Sequence, residues 1–479
     1  MTQLDVDVAV IGAGTAGLAA YRAAVAQGKR TLLIEGGPYG TTCARVGCMP
    51  SKLLIAAAEA AHMLHAAPGF GVHPGQTKID GRAVMARVRR ERDRFVGFVL
   101  AGVARIPAED KLRGHARFTG PQTLQVDHHT TVHAARIVIA TGSTPVRLAP
   151  LARGGPGVII SDDIFELEDL PRSLAVIGSG VIGLELGQAM SRLGVRVSIF
   201  ARGGSVAQLS DPEVLHVATR TLCAELDLRF QHQVVGAVEE EGEVLLTTRD
   251  ALGAEQRERF QYVLMAAGRA PNVGDIGIEH AGVECDDAGT PLFDARTMQC
   301  GSSHIFIAGD ADNARAVLPE AADEGRIAGD NAARYPDVRP GLRRTALTIA
   351  FTEPQIATLG ATYRQLSAAG QPKFALGMVL FEDQGRSRVM LQNFGMLRVY
   401  GEYGSGRFLG AEMIGPRAEH LAHLLAWACQ ARMTVEQMLE MPFYHPVIEE
   451  GVRTALRALH ADLCTGVADA AMAPDAPGA

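Results

Sequence analysis

Apolar residues along the chain occur in short runs and at helical spacings that alternate from the N-terminal region onward. An apolar run from Val6 to Ile11 is followed by a glycine-rich turn, a stretch with helical spacing, and a second apolar run that ends at Glu35. Short apolar runs separated by a helical pattern indicate parallel strands joined by a helix. The N-terminal region therefore predicts an α/β fold with a parallel sheet.

The same pattern occurs a second time. The segment Arg172–Ala201 repeats the order found in Val6–Glu35: an apolar strand, the glycine motif GxGxxG, a helical pattern and a second strand. Each copy has a matching later end, because Ile137–Pro145 (IVIATGSTP) is similar to Val263–Pro271 (VLMAAGRAP), with Gly and Pro at the same offset. An internal repeat of this kind indicates two copies of one structural unit.

The repeat and the local composition divide the chain into successive regions. We predict a first repeat domain at 1–148, a second at 149–271, a segment at 272–340 that returns to the first domain, a domain of mixed strands and helices at 341–460, and a flexible tail at 461–479. The return segment contains the strand-like sequence HIFIAGD. The tail is rich in Ala, Asp, Gly and Pro, a composition typical of frayed ends.

The fourth region has local patterns of both kinds. Met396–Glu402 (MLRVYGE) is strand-like, whereas Arg417–Met433 is helical. The apolar residues that recur at helical spacing in the second segment are Leu421, Leu424, Leu425 and Ala428. We interpret this stripe as core or as a subunit contact rather than as a cofactor site. Thr434–Gln437 (TVEQ) fits a capping box and predicts a helix start.

Composition and charge limit the possible partners. The chain has 479 residues, 47% apolar and 21% charged, as is normal for a soluble globular protein. The formal net charge of −7 does not favour binding to nucleic acid or to an anionic membrane. No apolar run approaches the roughly 20 residues that a membrane-spanning helix needs, and no secretory signal pattern is present. We therefore expect a cytoplasmic protein without nucleic acid or membrane as partner.

The first glycine motif predicts a dinucleotide site. It contains Gly12, Gly14 and Gly17, with a predicted strand before it and a predicted helix after it. The glycines permit a tight turn and allow a pyrophosphate to approach the N-terminus of the helix. Glu35, at the end of the next strand, can accept hydrogen bonds from a ribose.

The second glycine motif differs from the first at one informative position. Its glycines are Gly178, Gly180 and Gly183. Ala201 stands at the position that corresponds to Glu35, and Arg202 follows it. A carboxylate at this place favours a free ribose 2′-hydroxyl, whereas an arginine accommodates a 2′-phosphate. The second site therefore favours NADP(H) over NAD(H), and the alternative is that Arg202 is an ordinary solvated loop residue.

Two cysteines stand close together in TCARVGCMPSK, residues 42–52. A zinc site needs about four ligands, and the next cysteine after Cys48 is Cys223, so we expect no metal here. A helix predicted to begin right after Pro50 places Cys48 beside a helix N-terminus, with Lys52 about one turn further on. Both features stabilise a thiolate. We predict that Cys43 and Cys48 form a redox-active pair, and an inert buried pair is the alternative.

Exchange between thiols and disulfides also moves protons, so a base with a pKa near neutrality is required. Among 15 histidines, His445 stands out because FYHPVIEEG places it before a proline and two glutamates. One carboxylate could fix the imidazole tautomer and stabilise the imidazolium. Spacing alone favours Glu449 over Glu450. The alternative is a helix-capping histidine followed by two acids that complement the helix dipole.

Together these motifs resemble the flavin-dependent pyridine nucleotide–disulfide oxidoreductases over residues 5–460. TCARVGCMPSK is similar to the redox motif of that family, and IVIATGS, AAGRAPN, IFIAGD and YHPVIEEG match further landmarks in the family's order. Ala44 and Arg45 replace the aliphatic–Asn pair of the commonest motif, which could alter access to the disulfide. The resemblance implies two Rossmann-like domains, one for FAD and one for NAD(P), and a C-terminal α+β dimerisation domain.

The resemblance also implies roles for individual residues. The adenine end of FAD would be held by the first glycine motif with Glu35, and its ribityl chain by Asp310. The remaining cofactor-binding positions would be Lys52, Thr141, Gly142, Gly178, Gly180, Gly183, Arg202 and Gly268.

The catalytic set that the resemblance implies contains Cys43, Cys48, Lys52, Glu185, His445 and Glu450. Cys48 would form a charge-transfer thiolate against the flavin, and Cys43 would exchange with the sulfur of the substrate. Lys52 would lie near flavin N5, paired with Glu185. The family pattern uses the glutamate five residues after the histidine, which here is Glu450. This histidine loop belongs to the partner subunit in the family, which implies an obligate homodimer.

Two substrate types compete within this family. One is the dihydrolipoyl dehydrogenase type, which oxidises a small or protein-bound dithiol, such as that of a lipoyl domain, with NAD⁺. The other is an NADPH-dependent disulfide or metal reductase of the glutathione or mercuric reductase type, which Arg202 and VSIFAR resemble. Mercuric reductase carries a C-terminal cysteine pair, a tyrosine in place of His445 and an N-terminal metal-binding domain, whereas the tail here has only Cys464. We therefore predict the dihydrolipoyl type.

A third possibility is a catalytically silent flavoprotein that acts as a scaffold or redox sensor. The intact set of Cys43, Cys48 and His445 argues against it, because each group has a specific part in dithiol exchange.

Overall fold

The computed structural model describes residues 2–76, 78–368 and 374–465. Within these residues the chain forms two compact units. The first unit extends up to Pro50 and adds Arg87–Val146 and Gly268–Arg344. The second contains Ser51–Ala86, Arg147–Ala267 and the described residues from Thr345 onward.

The strands are numbered here in chain order. They are β1 (Thr2–Ile11), β2 (Thr31–Glu35), β3 (Lys111–Arg113), β4 (Ala116–Gly120), β5 (Thr123–Val126), β6 (Thr130–Ile139), β7 (Ser143–Pro145), β8 (Val158–Ile160), β9 (Ser173–Ile177), β10 (Arg196–Ala201), β11 (Asp227–Phe230), β12 (Gln233–Glu240), β13 (Glu243–Arg249), β14 (Glu255–Phe260), β15 (Tyr262–Met265), β16 (Arg269–Pro271), β17 (Ile305–Ile307), β18 (Leu347–Ala350), β19 (Gln355–Gly360), β20 (Phe374–Leu380), β21 (Met396–Glu402) and β22 (Phe408–Gly415).

The α-helices are numbered in the same way. They are α1 (Thr15–Ala26), α2 (Thr42–Val46), α3 (Cys48–Ala66), α4 (Gly81–Ala104), α5 (Val181–Arg192), α6 (Pro212–Cys223), α7 (Leu318–Arg334), α8 (Tyr363–Ala368), α9 (Gly385–Val389), α10 (Ala418–Gln430), α11 (Val435–Leu439) and α12 (Glu450–Thr465).

The first unit is built on a sheet with strand order β3-β2-β1-β6-β5-β4, and β17 pairs with β6. The pairs β1–β2, β1–β6, β2–β3 and β6–β17 are parallel, whereas β4, β5 and β6 pair in antiparallel fashion. Both faces of β1 are buried, because Val8 and Val10 pack in one core while Ala9 and Ile11 pack in another. This burial on both faces explains the continuous apolar run in the sequence.

The second unit contains a parallel sheet and two antiparallel sheets. The parallel sheet has the order β11-β10-β9-β15-β8, and a separate three-stranded sheet has the order β12-β13-β14. The C-terminal sheet has the order β18-β19-β22-β21-β20, with all neighbours antiparallel. The predicted α/β class, with parallel sheets and a C-terminal α+β domain, is therefore confirmed.

Helix α10 carries the predicted apolar stripe, but not all of the stripe is core. Leu421, Leu425 and Ala428 are buried among the residues of the C-terminal core, whereas Leu424 is 46% exposed. The capping box before α11 is present, because Thr434 accepts a hydrogen bond from the backbone of Gln437 and the side chain of Gln437 accepts one from Thr434.

The helix α12 extends further than the sequence suggested. Residues 461–465, predicted to belong to a flexible tail, instead continue this helix. The cause is tertiary: the Asp462 carboxylate accepts hydrogen bonds from Leu376 N at 2.8 Å and from the Tyr403 hydroxyl at 3.1 Å. The rest of the predicted tail, residues 466–479, lies outside the described residues.

Across the described parts of the chain, every helix is too short or too polar to cross a bilayer.

Candidate functional site

The first glycine motif forms a turn that accepts only glycine at its first position. Gly12 has φ +105°, and a Cβ on it would lie 2.2 Å from the carbonyl oxygen of Ala140. Gly14 is the N-cap of α1 and provides no side-chain cap, and the first turn of α1 contains no acid. A Cβ on Gly14 would meet no atom within 4 Å. The N-terminus of α1 is therefore open and suited to an anionic group such as a pyrophosphate.

Glu35 ends β2 beside this turn. Its Oε2 accepts a hydrogen bond from Ala13 N at 2.7 Å, and its Oε1 accepts one from Gly37 N at 2.6 Å. These two bonds fix the carboxylate at the carboxyl end of the parallel sheet, where open α/β sheets bind ligands. A fixed carboxylate at this place can accept further hydrogen bonds from ribose hydroxyls.

A buried hydroxyl lies near the same turn without a partner of its own. Thr141 Oγ1 is buried, and no group among the described residues forms a hydrogen bond with it. Gly142 follows with φ +72°, and a Cβ there would meet no atom within 4 Å. The Asn272 side chain donates to Thr141 O at 3.1 Å and holds this segment. An orphaned buried hydroxyl fits a polar ligand, so these residues suit the FAD that the resemblance implies.

Asp310 belongs to a small polar network that sequence reasoning did not find. Ser143 Oγ donates to Asp310 Oδ2 at 2.6 Å, and Arg269 Nε donates to Ser143 Oγ at 2.8 Å. Ser143 and Arg269 begin β7 and β16, which pair in antiparallel fashion. The matching ends of the two repeats were the only indication in the sequence of this pairing. Gly268, just before Arg269, has φ +114° and open space around it.

Two buried carboxyl groups, those of Asp312 and Glu324, follow Asp310 in the chain. Asp312 is 4% exposed, and burial, together with the negative charge of Glu324, raises the pKa of Asp312 to about 8. Asp312 Oδ1 accepts from Ala314 N at 2.8 Å. Glu324 accepts from Gly309 N at 3.0 Å and from Arg343 at 2.7 Å. One proton is therefore retained by the pair at neutral pH.

The second glycine motif repeats the geometry of the first. Gly178 has φ +121°, and a Cβ on it would lie 2.3 Å from the carbonyl oxygen of Ala266. A Cβ on Gly183 would lie 2.1 Å from Gly178 O, so this position also requires a glycine. Gly180, the N-cap of α5, has no side-chain cap, and the first turn of α5 contains no acid. The N-terminus of α5 thus suits the pyrophosphate of a second dinucleotide.

The strand that follows α5 ends without a carboxylate. Ala201, the last residue of β10, is 3% exposed, and the side chain of Arg202 is exposed directly after it. Within the described parts of the chain, Arg202 forms no hydrogen bond or ion pair. Its guanidinium is therefore available to a phosphate at the place where Glu35 stands in the first repeat.

The cysteines lie on two consecutive helices. Cys43 is half-buried in α2, and Cys48 is the exposed first residue of α3. Helix α3 begins three residues before the predicted start, because Pro50 lies within the first turn, where its missing N–H breaks no helical bond. Cys48 thus occupies the helix N-terminus itself.

Thr41 precedes the helix that carries Cys43. Its backbone has φ 59° and ψ 148°, a region that β-branched residues rarely occupy. Its hydroxyl accepts a hydrogen bond from Ala44 N at 3.3 Å and caps α2. Thr41 therefore combines a strained backbone with a stabilising cap immediately before the cysteine motif.

Lys52 and Glu185 form an ion pair. Lys52 Nζ lies 2.7 Å from Glu185 Oε2, and the Glu185 side chain is 4% exposed. Glu185 Oε1 accepts a further hydrogen bond from Phe351 N at 2.9 Å. The ammonium also lies 4.5 Å from the centroid of the Phe351 ring. A nearly buried carboxylate with partners at both oxygens is held in one orientation.

His445 and Glu450 are joined at the start of α12. His445 Nδ1 lies 3.0 Å from Glu450 Oε1, and Val447 N donates to Glu450 Oε2 at 3.1 Å. Helix α12 begins at Glu450, and among the described residues no hydrogen bond or ion pair joins Glu449 to His445. With Nδ1–H bound to a carboxylate, Nε2 is the nitrogen that can take up a proton.

In the described residues, no group of three or more His, Cys, Asp or Glu side chains is arranged to hold a metal ion.

Two family models match the chain. The model described as pyridine nucleotide-disulphide oxidoreductase matches residues 6–325. The model described as the pyridine nucleotide-disulphide oxidoreductase dimerisation domain matches residues 347–456.

Curated relatives with two different names are similar over nearly the whole chain. A dihydrolipoyl dehydrogenase of Haloferax volcanii is 30% identical over 461 residues, which cover 94% of this chain and 95% of the relative. A mercuric reductase of Shigella flexneri is 32% identical over 470 residues, which cover 95% of this chain and 81% of the relative. A mercuric reductase of Streptomyces lividans is 31% identical over 471 residues, covering 95% and 97% of the two chains.

Solved structures share the fold. The crystal structure of LpdA from Mycobacterium tuberculosis superposes with a TM-score of 0.80 at 24% identity, covering 95% of this chain and 99% of that one. The HOCl-induced flavoprotein disulfide reductase RclA from Escherichia coli superposes with a TM-score of 0.78 at 22% identity, covering 95% and 99%.

Proposed function

Because this chain belongs to the pyridine nucleotide-disulphide oxidoreductase family, we propose that it is an FAD-dependent dithiol–disulfide oxidoreductase of the dihydrolipoyl dehydrogenase type. The proposed reaction oxidises a dihydrolipoyl dithiol and reduces NAD⁺. The proposed assembly is a homodimer, which is supported by the match of residues 347–456 to the dimerisation domain. Residues 1–148 with 272–340 are the proposed FAD-binding domain, 149–271 the proposed NAD(P)-binding domain and 341–460 the proposed dimerisation domain.

The observation that carries the proposal is the hydrogen bond between His445 and Glu450, 3.0 Å long. It fixes Nδ1–H, so Nε2 is ready to accept the proton of a substrate thiol. The substrate thiolate attacks the Cys43 sulfur of the Cys43–Cys48 disulfide, the S–S bond breaks, and Cys48 leaves as a thiolate. The second substrate thiol then loses its proton to solvent and displaces Cys43, which takes the proton held by His445. The substrate leaves as a disulfide.

The other residues of the proposed site would bind and orient FAD and the nicotinamide dinucleotide. FAD, when bound, supplies a two-electron carrier between the dithiol and the nicotinamide. The open N-termini of α1 and α5 would receive the two pyrophosphates, and Thr141 would give its orphaned hydroxyl to FAD. Lys52 and Glu185, 2.7 Å apart, would place a positive charge beside the flavin. Cys48 at the N-terminus of α3 is well placed to remain a thiolate.

A second candidate is an NADPH-dependent reductase of a disulfide or metal. It is supported by Ala201 and the exposed Arg202 at the end of β10, and by relatives named mercuric reductase at 31–32% identity. In this reaction electrons would pass in the reverse direction, from NADPH to the cysteine pair and on to the substrate.

The test begins with purified protein of yellow flavin colour. NADH and NADPH are added separately, and the long-wavelength charge-transfer band is followed. Turnover is then assayed with dihydrolipoamide plus NAD⁺, and with oxidised glutathione plus NADPH. The proposal expects the band with NADH and turnover of dihydrolipoamide. Rapid reduction by NADPH alone would contradict it and support the second candidate, and no band with either nucleotide would support a silent scaffold or redox sensor.

A further inference from the structure

A small cavity of about 10 Å³ lies beside the Lys52–Glu185 ion pair, within the second unit. A volume of this size holds about one water molecule. The polar and aromatic residues in its wall are Glu59 of α3, Glu185, Gln188 and Arg192 of α5, and Phe351 and Glu353 of the segment after β18. Three of these six side chains are carboxylic acids, so the cavity suits a water molecule that exchanges protons.

One face of α5 holds the segment that carries Glu353. Gln188 Oε1 accepts from Glu353 N at 2.8 Å, and Gln188 Nε2 donates to Glu353 O at 2.9 Å. Arg192 Nη2 donates to the same carbonyl at 3.0 Å. Glu185, Gln188 and Arg192 have the spacing of neighbours on one helix face. The backbone of Glu353 is thus fixed to the helix that carries Glu185, while its side chain lines the cavity.

The Glu353 carboxyl group changes its protonation state near neutral pH. It is half-buried, and within the described residues no side chain or backbone group donates a hydrogen bond to it. Burial raises the pKa of Glu353 to about 7, with Arg192 opposing and Glu59 adding to the effect. The titratable and charged groups around it are Glu59 and His62 of α3, Glu185 and Arg192 of α5, Glu225, and Arg417. Near neutral pH this group can both give and take a proton.

We propose that Glu353 is a positioning residue that exchanges protons with the Lys52–Glu185 pair through the water of this cavity. The inference rests on the proposed function, in which electrons from a dithiol add negative charge near Lys52. A proton leaves the Glu353 carboxyl group for the cavity water, and the water passes one proton to Glu185. The products are a Glu353 carboxylate and a Glu185 carboxylic acid, so one proton has moved. Lys52, no longer neutralised by Glu185, can then stabilise the new negative charge, and solvent returns a proton to Glu353. When the negative charge is passed on, Glu185 releases its proton through the same water and the ion pair with Lys52 forms again.

The experiment compares the purified flavoprotein with Glu353→Gln, which cannot titrate, and Glu353→Asp, which can. Urea unfolding is measured between pH 4.5 and 8. A carboxyl group with a raised pKa stabilises the fold below its unfolded pKa, and this contribution is lost as pH rises to the folded value. The unfolding constant of the wild type should therefore rise between pH 4.5 and 7 by up to tenfold per pH unit relative to Glu353→Gln.

A second measurement follows the rate of formation of the charge-transfer band after dithiol is added, from pH 6 to 8. We expect a transition near pH 7 in the wild type and in Glu353→Asp. The transition should be absent in Glu353→Gln, whose rate at pH 7 should be lower by about tenfold or more. The matched control is Glu59→Gln, an exposed acid at the same cavity. It should keep the transition, displaced to lower pH, because its charge raises the pKa of Glu353.

An unchanged transition in Glu353→Gln would overturn the proposal, as would equal pH dependence of unfolding in Glu353→Gln and wild type. A wild type that reacts with neither dithiol nor nicotinamide nucleotide would instead overturn the proposed function. The unfolding titration would in that case still decide whether Glu353 retains a proton.

Discussion

The imidazole Nδ1 of His445 lies 3.0 Å from Oε1 and 3.2 Å from Oε2 of Glu450. The carboxylate is itself oriented, because Oε2 also accepts a hydrogen bond from Val447 N at 3.1 Å. Both contacts arise at the first turn of α12, where an acid is favoured by the helix dipole. The arrangement leaves Nε2 of His445 as the site of proton uptake.

Replacing this carboxylate tests the role of His445. We expect Glu450→Gln to slow the reaction with dithiol by roughly 10²–10⁴-fold, because an amide neither fixes the tautomer nor stabilises the imidazolium. Stopped-flow measurement of the thiol reaction provides the rate, and reduction by the nicotinamide nucleotide provides a step that should stay unchanged.

Glu449→Gln is the matched control, since it removes the same charge one residue away without a bond to the imidazole. It should change the thiol reaction by less than about threefold, as expected for a group outside the proton path. Equal losses in the two variants would contradict the role assigned to Glu450.

The two cysteines should differ in their spectra. We expect Cys48→Ser to abolish the long-wavelength band, because the Cys48 thiolate is its proposed donor at the N-terminus of α3. Cys43→Ser should show the band without any reductant, because Cys48 can then form no disulfide with Cys43. Absorbance spectra of the purified flavoproteins measure both effects, and swapped phenotypes would exchange the roles of the two residues.

Local features of this protein were predictable because their causes lie within a few residues. Gly12 and Gly178 lie in turns with positive φ, which glycine alone adopts readily. The glycine motif in the sequence therefore predicts the backbone conformation of both turns. The capping box Thr434–Gln437 is likewise a short-range pattern and was found where expected. The predicted start of α3 is wrong by three residues, because proline is tolerated throughout the first turn and Pro50 therefore does not mark the helix boundary.

Contacts between distant parts of the chain could not be predicted from spacing. Arg269 reaches Ser143 across 126 residues, and Gln188 reaches Glu353 across 165. The pairing of Lys52 with Glu185, 133 residues apart, followed from the family resemblance and not from any local pattern. Leu424 has the same helical spacing as its buried neighbours yet is exposed. The spacing predicts which helix face is apolar, but it does not predict how wide the buried part of that face is.

Nucleotide preference should depend on Arg202. We expect Arg202→Ala to raise KM for NADPH by about tenfold, the loss of roughly one charge-assisted hydrogen bond to a 2′-phosphate, and to leave KM for NADH unchanged. Steady-state kinetics with both nucleotides measure the difference. Arg220→Ala, an exposed arginine on α6 of the same unit, is the control and should alter neither value. Equal effects of Arg202→Ala on the two nucleotides would reduce Arg202 to a surface residue.

The buried acid Asp312 should make stability depend on pH. Burial and Glu324 raise its pKa to about 8, so the folded state keeps a proton that the unfolded state releases above about pH 4. Stability from this group is therefore present at pH 4 and is lost as pH rises to 8. Asp312→Asn removes this dependence and should be more stable than the wild type by several kcal/mol at pH 8, with little difference at pH 4.

Urea unfolding at pH 4, 6 and 8 measures the effect of Asp312→Asn. Asp287→Asn, an exposed acid in the same unit, removes the same charge and should change stability by less than about 0.5 kcal/mol at each pH. A stability gain that is constant from pH 4 to 8 would show that Asp312 holds no proton in the folded state.

Thr41 should respond in opposite directions to two substitutions. Thr41→Gly removes the strain of a φ of 59°, which costs a β-branched residue about 1–3 kcal/mol. The loss of the threonine cap costs only a few tenths of a kcal/mol when glycine replaces it. We therefore expect the free energy of unfolding to increase by about 1 kcal/mol. Thr41→Val keeps the strained backbone but loses the hydrogen bond from Ala44 N, so we expect a loss of about 1 kcal/mol. Urea unfolding measures both changes. Destabilisation by Thr41→Gly as large as by Thr41→Val would mean that the backbone here carries no strain.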